Sequence, residues 1–208
     1  KLSEASEYIT YTTFGTSPQG RDLPLLIIDK NRNFTPESVK KSGNAVLFVN
    51  ACIHPGESEG KDAGFMLIRD IIIHNKYPEL LNHTTLLFVP IFNVDGHERF
   101  SAYNRINQNG PKEMGWRTTA TNLNLNRDFV KADAVEMQQW LMLFNEWLPD
   151  MFMDIHTTDG ADYQYQLTYY LHNLGDMNQQ HTKWQTNYLN EIENELIQDD
   201  ILIFPYVS

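Results

Sequence analysis

The sequence has a single cysteine, Cys52, and no long hydrophobic run. One cysteine excludes an intrachain disulfide framework and leaves the redox compartment undetermined. No apolar stretch approaches the ~20 residues that a membrane-spanning helix needs, so we expect no transmembrane segment. The amino-terminal segment also lacks a start methionine and the apolar core of a signal peptide, which suggests a processed or trimmed chain.

Basic residues are in the minority. The chain has 16 Lys and Arg against 27 Asp and Glu, and its formal net charge at pH 7 is −11. Nucleic-acid binding depends mainly on Lys and Arg side chains that neutralise phosphates, so we expect no nucleic-acid partner. The sequence contains no repeat, low-complexity tract or clear linker. A chain of 208 residues therefore suits one domain, over residues 1–208, that is large enough to bury a substantial core.

Short apolar runs alternate along the chain with amphipathic stretches. The runs are rich in β-branched residues and bounded by Gly, Pro or Asn, and this pattern predicts strands buried on both faces. The predicted strands lie at 23–29, 45–53, 85–92 and 151–155. Apolar residues at three- and four-residue spacing predict helices. The predicted helices lie at 58–75, 133–147 and 177–198. This alternation indicates an α/β fold with a largely parallel central sheet flanked by helices.

His54 and Glu57 lie three residues apart, where a predicted strand ends and a predicted helix begins. Ligands of such folds bind at the carboxyl ends of the strands. Side chains at this spacing project in similar directions, so an imidazole and a carboxylate can reach one Zn²⁺ at about 2.0 to 2.2 Å. A catalytic zinc usually takes three protein ligands, and His156, at the end of another predicted strand, is the candidate third. The His-x-x-Glu pattern alone is a weak signal, and the isolated Cys52 nearby is more often a small buried hydrophobe than a ligand.

A polar segment over residues 115–129 contains two arginines and alternating Leu and Asn. Asn126 and Arg127 are adjacent, which places an amide beside a guanidinium and suits the capture of a carboxylate. Arg117 lies ten positions earlier. Taken alone, Arg127 is better explained as a loop arginine that pairs with one of the many acids.

In their order along the chain, these motifs resemble those of the zinc carboxypeptidase family, the carboxypeptidase A/B-like metallocarboxypeptidases. The resemblance covers about residues 11–160. The motifs that carry it are GTSPQGRDLPLLII, HPGE, VPIFNVDGHERF, WRTTATNLNLNRDF and DIHTTDG. It implies a mixed, largely parallel sheet flanked by helices, a zinc cofactor, and a peptide substrate with a free C-terminal carboxylate.

The resemblance also implies a role for each candidate residue. By analogy with the family, His54, Glu57 and His156 would hold the Zn²⁺ ion. Arg117 would stabilise the oxyanion of the tetrahedral intermediate. The adjacent Asn126 and Arg127 would grip the terminal carboxylate of the substrate.

Two features depart from the family pattern. Asn124 stands where the family commonly has an Asp that orients the first zinc histidine, and an amide should raise the basicity of that ligand less than a carboxylate would. The family's general base is a Glu on a strand well beyond the third ligand. After His156, Glu191, Glu193 and Glu195 fall in an amphipathic stretch, where acids most often form a solvated face. We therefore expect the catalytic domain to be truncated after residue 208, with the base beyond it.

Two other functions stay open. One is an acylamino-acid deacylase of related fold; those enzymes tend to carry His-Gly-x-Glu, whereas Pro55-Gly56 favours the peptidase. The other is a non-catalytic zinc-binding domain, which would explain the missing base. Such a domain would have little need for Arg117, Asn126 and Arg127 together, so the peptidase is the preferred prediction.

Overall fold

The computed structural model describes residues 1–171 and 178–206, in two compact units, Lys1–Gly160 and Ala161–Ser208. The strands are β1 Ile9–Thr16, β2 Asp22–Ile28, β3 Ala45–Ala51, β4 Thr84–Val89, β5 Met151–Ile155, β6 Leu167–Tyr169 and β7 Ile203–Pro205. The helices are α1 Leu2–Ala5, α2 Pro36–Ser42, α3 Glu59–Ile72, α4 Val94–Glu98, α5 Val135–Trp147 and α6 Gln179–Gln198, with a 3₁₀ helix at Leu125–Arg127. The single domain expected over residues 1–208 stays a prediction.

The first unit is built on a mixed five-stranded sheet with the order β1-β2-β4-β3-β5. Strand β3 runs parallel to both β4 and β5, whereas β2 runs antiparallel to β1 and β4. This arrangement confirms the predicted mixed α/β fold. Strand β1 was not predicted, because its Thr-rich sequence is largely exposed at the edge of the sheet and lacks the continuous hydrophobicity of a buried strand.

The inner strands are buried on both faces, as their sequences predict. Leu87 on β4 packs into a cluster with Trp140 of α5, whereas its neighbour Phe88 packs into a second cluster with Ile68 of α3. Successive side chains of a strand point to opposite faces, so one strand serves both clusters. Strand β5 differs from this expectation. It lies at an edge of the sheet, and its side chains are exposed or only partly buried.

The parallel pairing of β3 and β5 positions the site. Ala51 at the end of β3 pairs with Ile155 at the end of β5, so the two strands end side by side. The residues that follow each strand, among them His54 and His156, therefore emerge at the same edge of the sheet.

The second unit consists of the two parallel strands β6 and β7 and the helix α6. The helix predicted over 177–198 is confirmed from Gln179 onward, and residue 177 lies outside the described residues. In the part of the chain that the structure describes, no helix combines the length and the apolar character needed to cross a membrane.

The buried carboxylate of Glu136 should make the stability of the protein depend on pH. Glu136 lies in the first turn of α5, is fully buried, and neither of its carboxylate oxygens has a hydrogen-bond partner among the described residues. Burial raises the pKa of Glu136, and the nearby Asp95 and Asp128 raise it further. Since the protonated form suits the folded state, its contribution to stability is full below the usual pKa of 4.5 and is lost as the pH rises towards the raised pKa. The glutamine of Glu136→Gln cannot ionise, so we expect this variant not to lose stability as the pH rises through that range.

The size of the effect should be about 1.4 kcal/mol in the free energy of unfolding for each unit by which the pKa is raised. Urea unfolding of both proteins between pH 4 and pH 9 measures it. Glu146→Gln, at an exposed position of the same helix, is the matched control. A wild-type stability that falls no more steeply with pH than that of Glu136→Gln would contradict the prediction.

Candidate metal centre

The first two candidate ligands lie in the turn His54–Glu57, between β3 and α3. The chain leaves the strand at Cys52, whose φ of 52° is left-handed and whose carbonyl accepts a hydrogen bond from the Asn93 N–H (3.1 Å). The Glu57 N–H then donates to the His54 carbonyl (2.9 Å) and closes the turn. This turn brings the two side chains together, with His54 Nδ1 3.0 Å from Glu57 Oε1.

The third candidate ligand, His156, follows β5 directly. Its Nδ1 lies 3.0 Å from the other carboxylate oxygen of Glu57. One ligand atom from each of His54, Glu57 and His156 lies within 4.8 Å of the others. His54 and Glu57 are buried, whereas the His156 side chain is 31% exposed, so the group is open to solvent on one side.

The other ring nitrogen of each histidine faces an oxygen acceptor. His54 Nε2 lies 3.1 Å from Asn124 Oδ1, and His156 Nε2 lies 2.8 Å from Asp154 Oδ2. An acceptor at Nε2 holds a proton on that nitrogen, so a metal that displaces the Nδ1 proton would meet the Nδ1 lone pair. Two imidazole nitrogens and one carboxylate are a donor set of catalytic zinc sites, so these residues fit a bound Zn²⁺.

Burial and hydrogen bonding shift the pKa values of Glu57 and His156 in opposite directions, and hydrogen bonding has the larger effect. Burial alone would raise the pKa of Glu57, but hydrogen bonds from His156 and His54 outweigh it and hold that pKa well below its usual range. Burial alone would lower the pKa of His156, but its hydrogen bonds to Asp154 and Glu57 raise it to about 9. Glu57 is therefore an ionised carboxylate, the form that a metal requires.

Comparison with known proteins identifies the family. The family model for zinc carboxypeptidases matches residues 1–146. The chain belongs to the zinc carboxypeptidase family. Carboxypeptidase 2 of Trichophyton equinum is 23% identical to it over 160 residues, which are 75% of this chain and 26% of that protein. Carboxypeptidase 2 of Trichophyton tonsurans matches to the same extent. The chain thus spans about a quarter of the length of these curated relatives.

Solved structures share the zinc carboxypeptidase fold. A metallo-carboxypeptidase from Burkholderia cenocepacia superposes with a TM-score of 0.69 and 21% identity, over 97% of this chain and 49% of that one. A metallo-carboxypeptidase from Pseudomonas aeruginosa, in complex with (2-guanidinoethylmercapto)succinic acid, superposes with a TM-score of 0.58 and 25% identity. That match covers 77% of this chain and 39% of the Pseudomonas protein.

Arg117, for which the family resemblance implies an oxyanion role, lies beside the candidate ligands. Its Nη1 is 3.6 Å from Glu57 Oε1 and 3.3 Å from Asp159 Oδ1. The side chain is 30% exposed, so its guanidinium remains accessible to a small molecule at the site.

Asn126 and Arg127 lie on the 3₁₀ helix. This helix begins directly after Asn124, the residue that contacts His54. Asn124 caps this helix, because its side chain also accepts a hydrogen bond from the Asn126 N–H. Arg127 is exposed, and its Nη1 donates to the Asn126 carbonyl (2.7 Å). Among residues 1–171 and 178–206, no carboxylate lies within ion-pair distance of Arg127, so the loop salt bridge that its sequence allows finds no partner there.

Several contacts of the site were missed from the sequence, among them those of Asp154 and Arg105. Asp154 could have been found, because a strand residue two positions before His156 projects from the same face. Arg105 could not, since it lies in an irregular polar segment without periodicity. The structure buries Arg105 and places its Nη2 3.0 Å from Glu57 Oε1 and 3.4 Å from Asp159 Oδ1.

The remaining candidates lie as the sequence suggests. Cys52 is buried, and burial raises the pKa of its thiol to about 12, so it is the small protonated hydrophobe that was expected. On α6, Glu191 and Glu195 are exposed, whereas Glu193 accepts a hydrogen bond from the Tyr169 hydroxyl (3.0 Å).

A substitution at Asn124 tests whether the candidate ligands bind a metal. We expect Asn124→Asp to strengthen zinc binding by about tenfold, because a carboxylate should make the His54 imidazole a more basic ligand than an amide does. Competition with a chelator of known zinc affinity measures the change. Asn122→Asp adds the same charge at an exposed position of the same loop and should have little effect. Equal gains in both variants would show that net charge, and not the contact with His54, is responsible.

Proposed function

We propose that this chain carries the metal-binding and carboxylate-binding part of a zinc metallocarboxypeptidase that hydrolyses the C-terminal peptide bond of a peptide. The observation that supports this proposal best is the convergence of His54, Glu57 and His156 beside the accessible guanidinium of Arg117. Zn²⁺ held by this group would supply Lewis acidity and lower the pKa of water to about 7.

The chain's own residues would divide the other tasks. Arg117 would donate hydrogen bonds to the oxygen on which negative charge develops as the scissile carbonyl is attacked. Arg127 would pair with the terminal carboxylate of the peptide in a planar, two-point contact, with Asn126 as a neighbouring donor.

Paired peptide substrates test the proposal. The full-length protein should hydrolyse a peptide with a free C-terminal carboxylate and should lose most of its turnover when the same peptide is C-terminally amidated. A chelator should abolish both activities, and added Zn²⁺ should restore them.

Other results would point to the alternatives. Equal cleavage of free and amidated peptides would exclude the exopeptidase. A preference for N-acyl amino acids would favour the deacylase. Stoichiometric zinc binding with no hydrolysis of any of these substrates would favour a non-catalytic zinc-binding domain.

A further inference from the structure

A short segment, Asn104–Gln108, bridges the two parts of the chain that carry the candidate ligands. On one side Arg105 Nη2 donates to Glu57 Oε1 (3.0 Å) in the His54–Glu57 turn. On the other side Gln108 Nε2 donates to the carbonyl of Thr158 (2.5 Å), two residues after His156. Asn107 also packs closely on Gly160, where a Cβ atom would overlap the Asn107 carbonyl. The bridging segment therefore ties the turn to the residues that follow β5.

The Arg105 side chain is held in place along its length. Its stem lies on Gly56, within the His54–Glu57 turn, and a Cβ atom added at Gly56 would lie only 2.7 Å from Arg105 Cγ. The side chain is 3% exposed. Its Nη1 has no hydrogen-bond partner among the described residues, so packing on Gly56 and the Nη2 contact with Glu57 define its position.

Arg105 and the neighbouring Arg117 differ in their exposure to solvent. Both guanidinium groups lie near Glu57 Oε1 and Asp159 Oδ1. Arg117 is 30% exposed and can meet a substrate, whereas Arg105 is enclosed and can act only through the residues that it touches.

We propose that Arg105 is a positioning residue of the metal centre, which orients the Glu57 carboxylate towards the metal and holds the two ligand-bearing parts of the chain together. This inference rests on the proposed metal site. Partners that orient a ligand without touching the metal commonly contribute 10- to 100-fold to metal affinity.

The sign of the effect separates positioning from simple charge. A guanidinium close to the site repels Zn²⁺, so if Arg105 acted only through its charge, its removal would tighten zinc binding. If Arg105 orients Glu57, its removal frees the carboxylate to turn away and weakens zinc binding. The two possibilities therefore predict opposite changes.

Arg105→Ala is the main test, with Zn²⁺ affinity measured by chelator competition and the visible spectrum of bound Co²⁺ as a second readout. We expect zinc affinity to fall by about 10- to 100-fold and the Co²⁺ bands to shift, because the geometry of the Glu57 ligand changes. Arg105→Lys keeps the charge but loses the planar donor geometry, so it should recover only part of the affinity. Millimolar guanidinium should also restore part of the affinity of Arg105→Ala, because it can occupy the space left by the side chain.

Arg69→Ala is the matched control, since it removes one positive charge from the last turn of α3, roughly 15 Å along the helix from its start. It should leave both readouts unchanged. Circular dichroism and thermal unfolding of the metal-free proteins verify folding. If Arg105→Ala does not fold, Arg105→Lys carries the test, with weaker zinc binding and a shifted Co²⁺ spectrum as the expected result.

A folded Arg105→Ala protein that binds Zn²⁺ as tightly as wild type, or more tightly, with an unchanged Co²⁺ spectrum would overturn the positioning role. Failure of the metal site itself would be distinguishable, because it appears in the wild-type protein before any variant is made. A wild-type chain that binds no Zn²⁺ would overturn the proposed function and this inference with it.

Discussion

Replacing His156 by alanine should abolish stoichiometric zinc binding and, in the full-length protein, all metal-dependent hydrolysis. The loss should exceed the 10- to 100-fold reduction that follows removal of a residue that only orients a ligand. The reason is structural: His156 comes from β5, whereas His54 and Glu57 come from the turn after β3. Without it, the metal would keep ligands from only one of the two strand ends. Metal analysis after dialysis against a weak chelator measures the zinc content.

His74→Ala is a suitable control for this experiment, since His74 is exposed just beyond the far end of α3. It should keep about one zinc per chain. If His156→Ala retained full zinc affinity, the proposed ligand set would be wrong.

The second large effect is a kinetic difference between Arg117 and Arg127. Arg117→Ala in the full-length protein should lower kcat by roughly 10² to 10³ with little change in KM, because a donor to the developing oxyanion acts mainly in the transition state. Arg127→Ala should mainly raise KM, because the substrate carboxylate is present from binding to release. Arg127→Lys should recover only part of the binding, since an ammonium group cannot make the paired planar contact.

Steady-state kinetics with free and amidated peptides separate these roles. Arg127→Ala should impair cleavage of the free peptide only. Arg117→Ala should impair cleavage of both the free and the amidated peptide. Equal impairment of both peptides by Arg127→Ala would show that Arg127 is not the carboxylate anchor.

Asp159 links these predictions to the inferred role of Arg105. Its exposed carboxylate accepts hydrogen bonds from both Arg105 and Arg117, at 3.4 and 3.3 Å. Both contacts are long, and the Asp159 side chain is 65% exposed, so solvent screens the pairing and it contributes little to stability. We therefore expect a substrate oxygen to compete successfully with Asp159 for Arg117, which the buried pair of Arg105 and Glu57 would not permit.

Much of the fold follows from local sequence patterns. The inner strands β3 and β4 have continuous apolar runs because both of their faces are buried, and helices α3 and α5 have apolar residues at helical spacing because one face of each packs on the sheet. The edge strand β1 could not be predicted in this way. It is largely exposed, so its sequence carries little of the hydrophobic signal on which the prediction depends.

By itself, the sequence determined the kinds of side chain at the strand ends and the short-range geometry of His54 and Glu57, which a single turn brings together. Only the tertiary structure decided which distant residues meet them. The parallel pairing of β3 with β5 places His156 against Glu57, and an irregular segment with no sequence signature places Arg105 there. Contacts between residues tens of positions apart depend on how strands pair and loops pack, and local patterns of hydrophobicity and spacing do not encode that information.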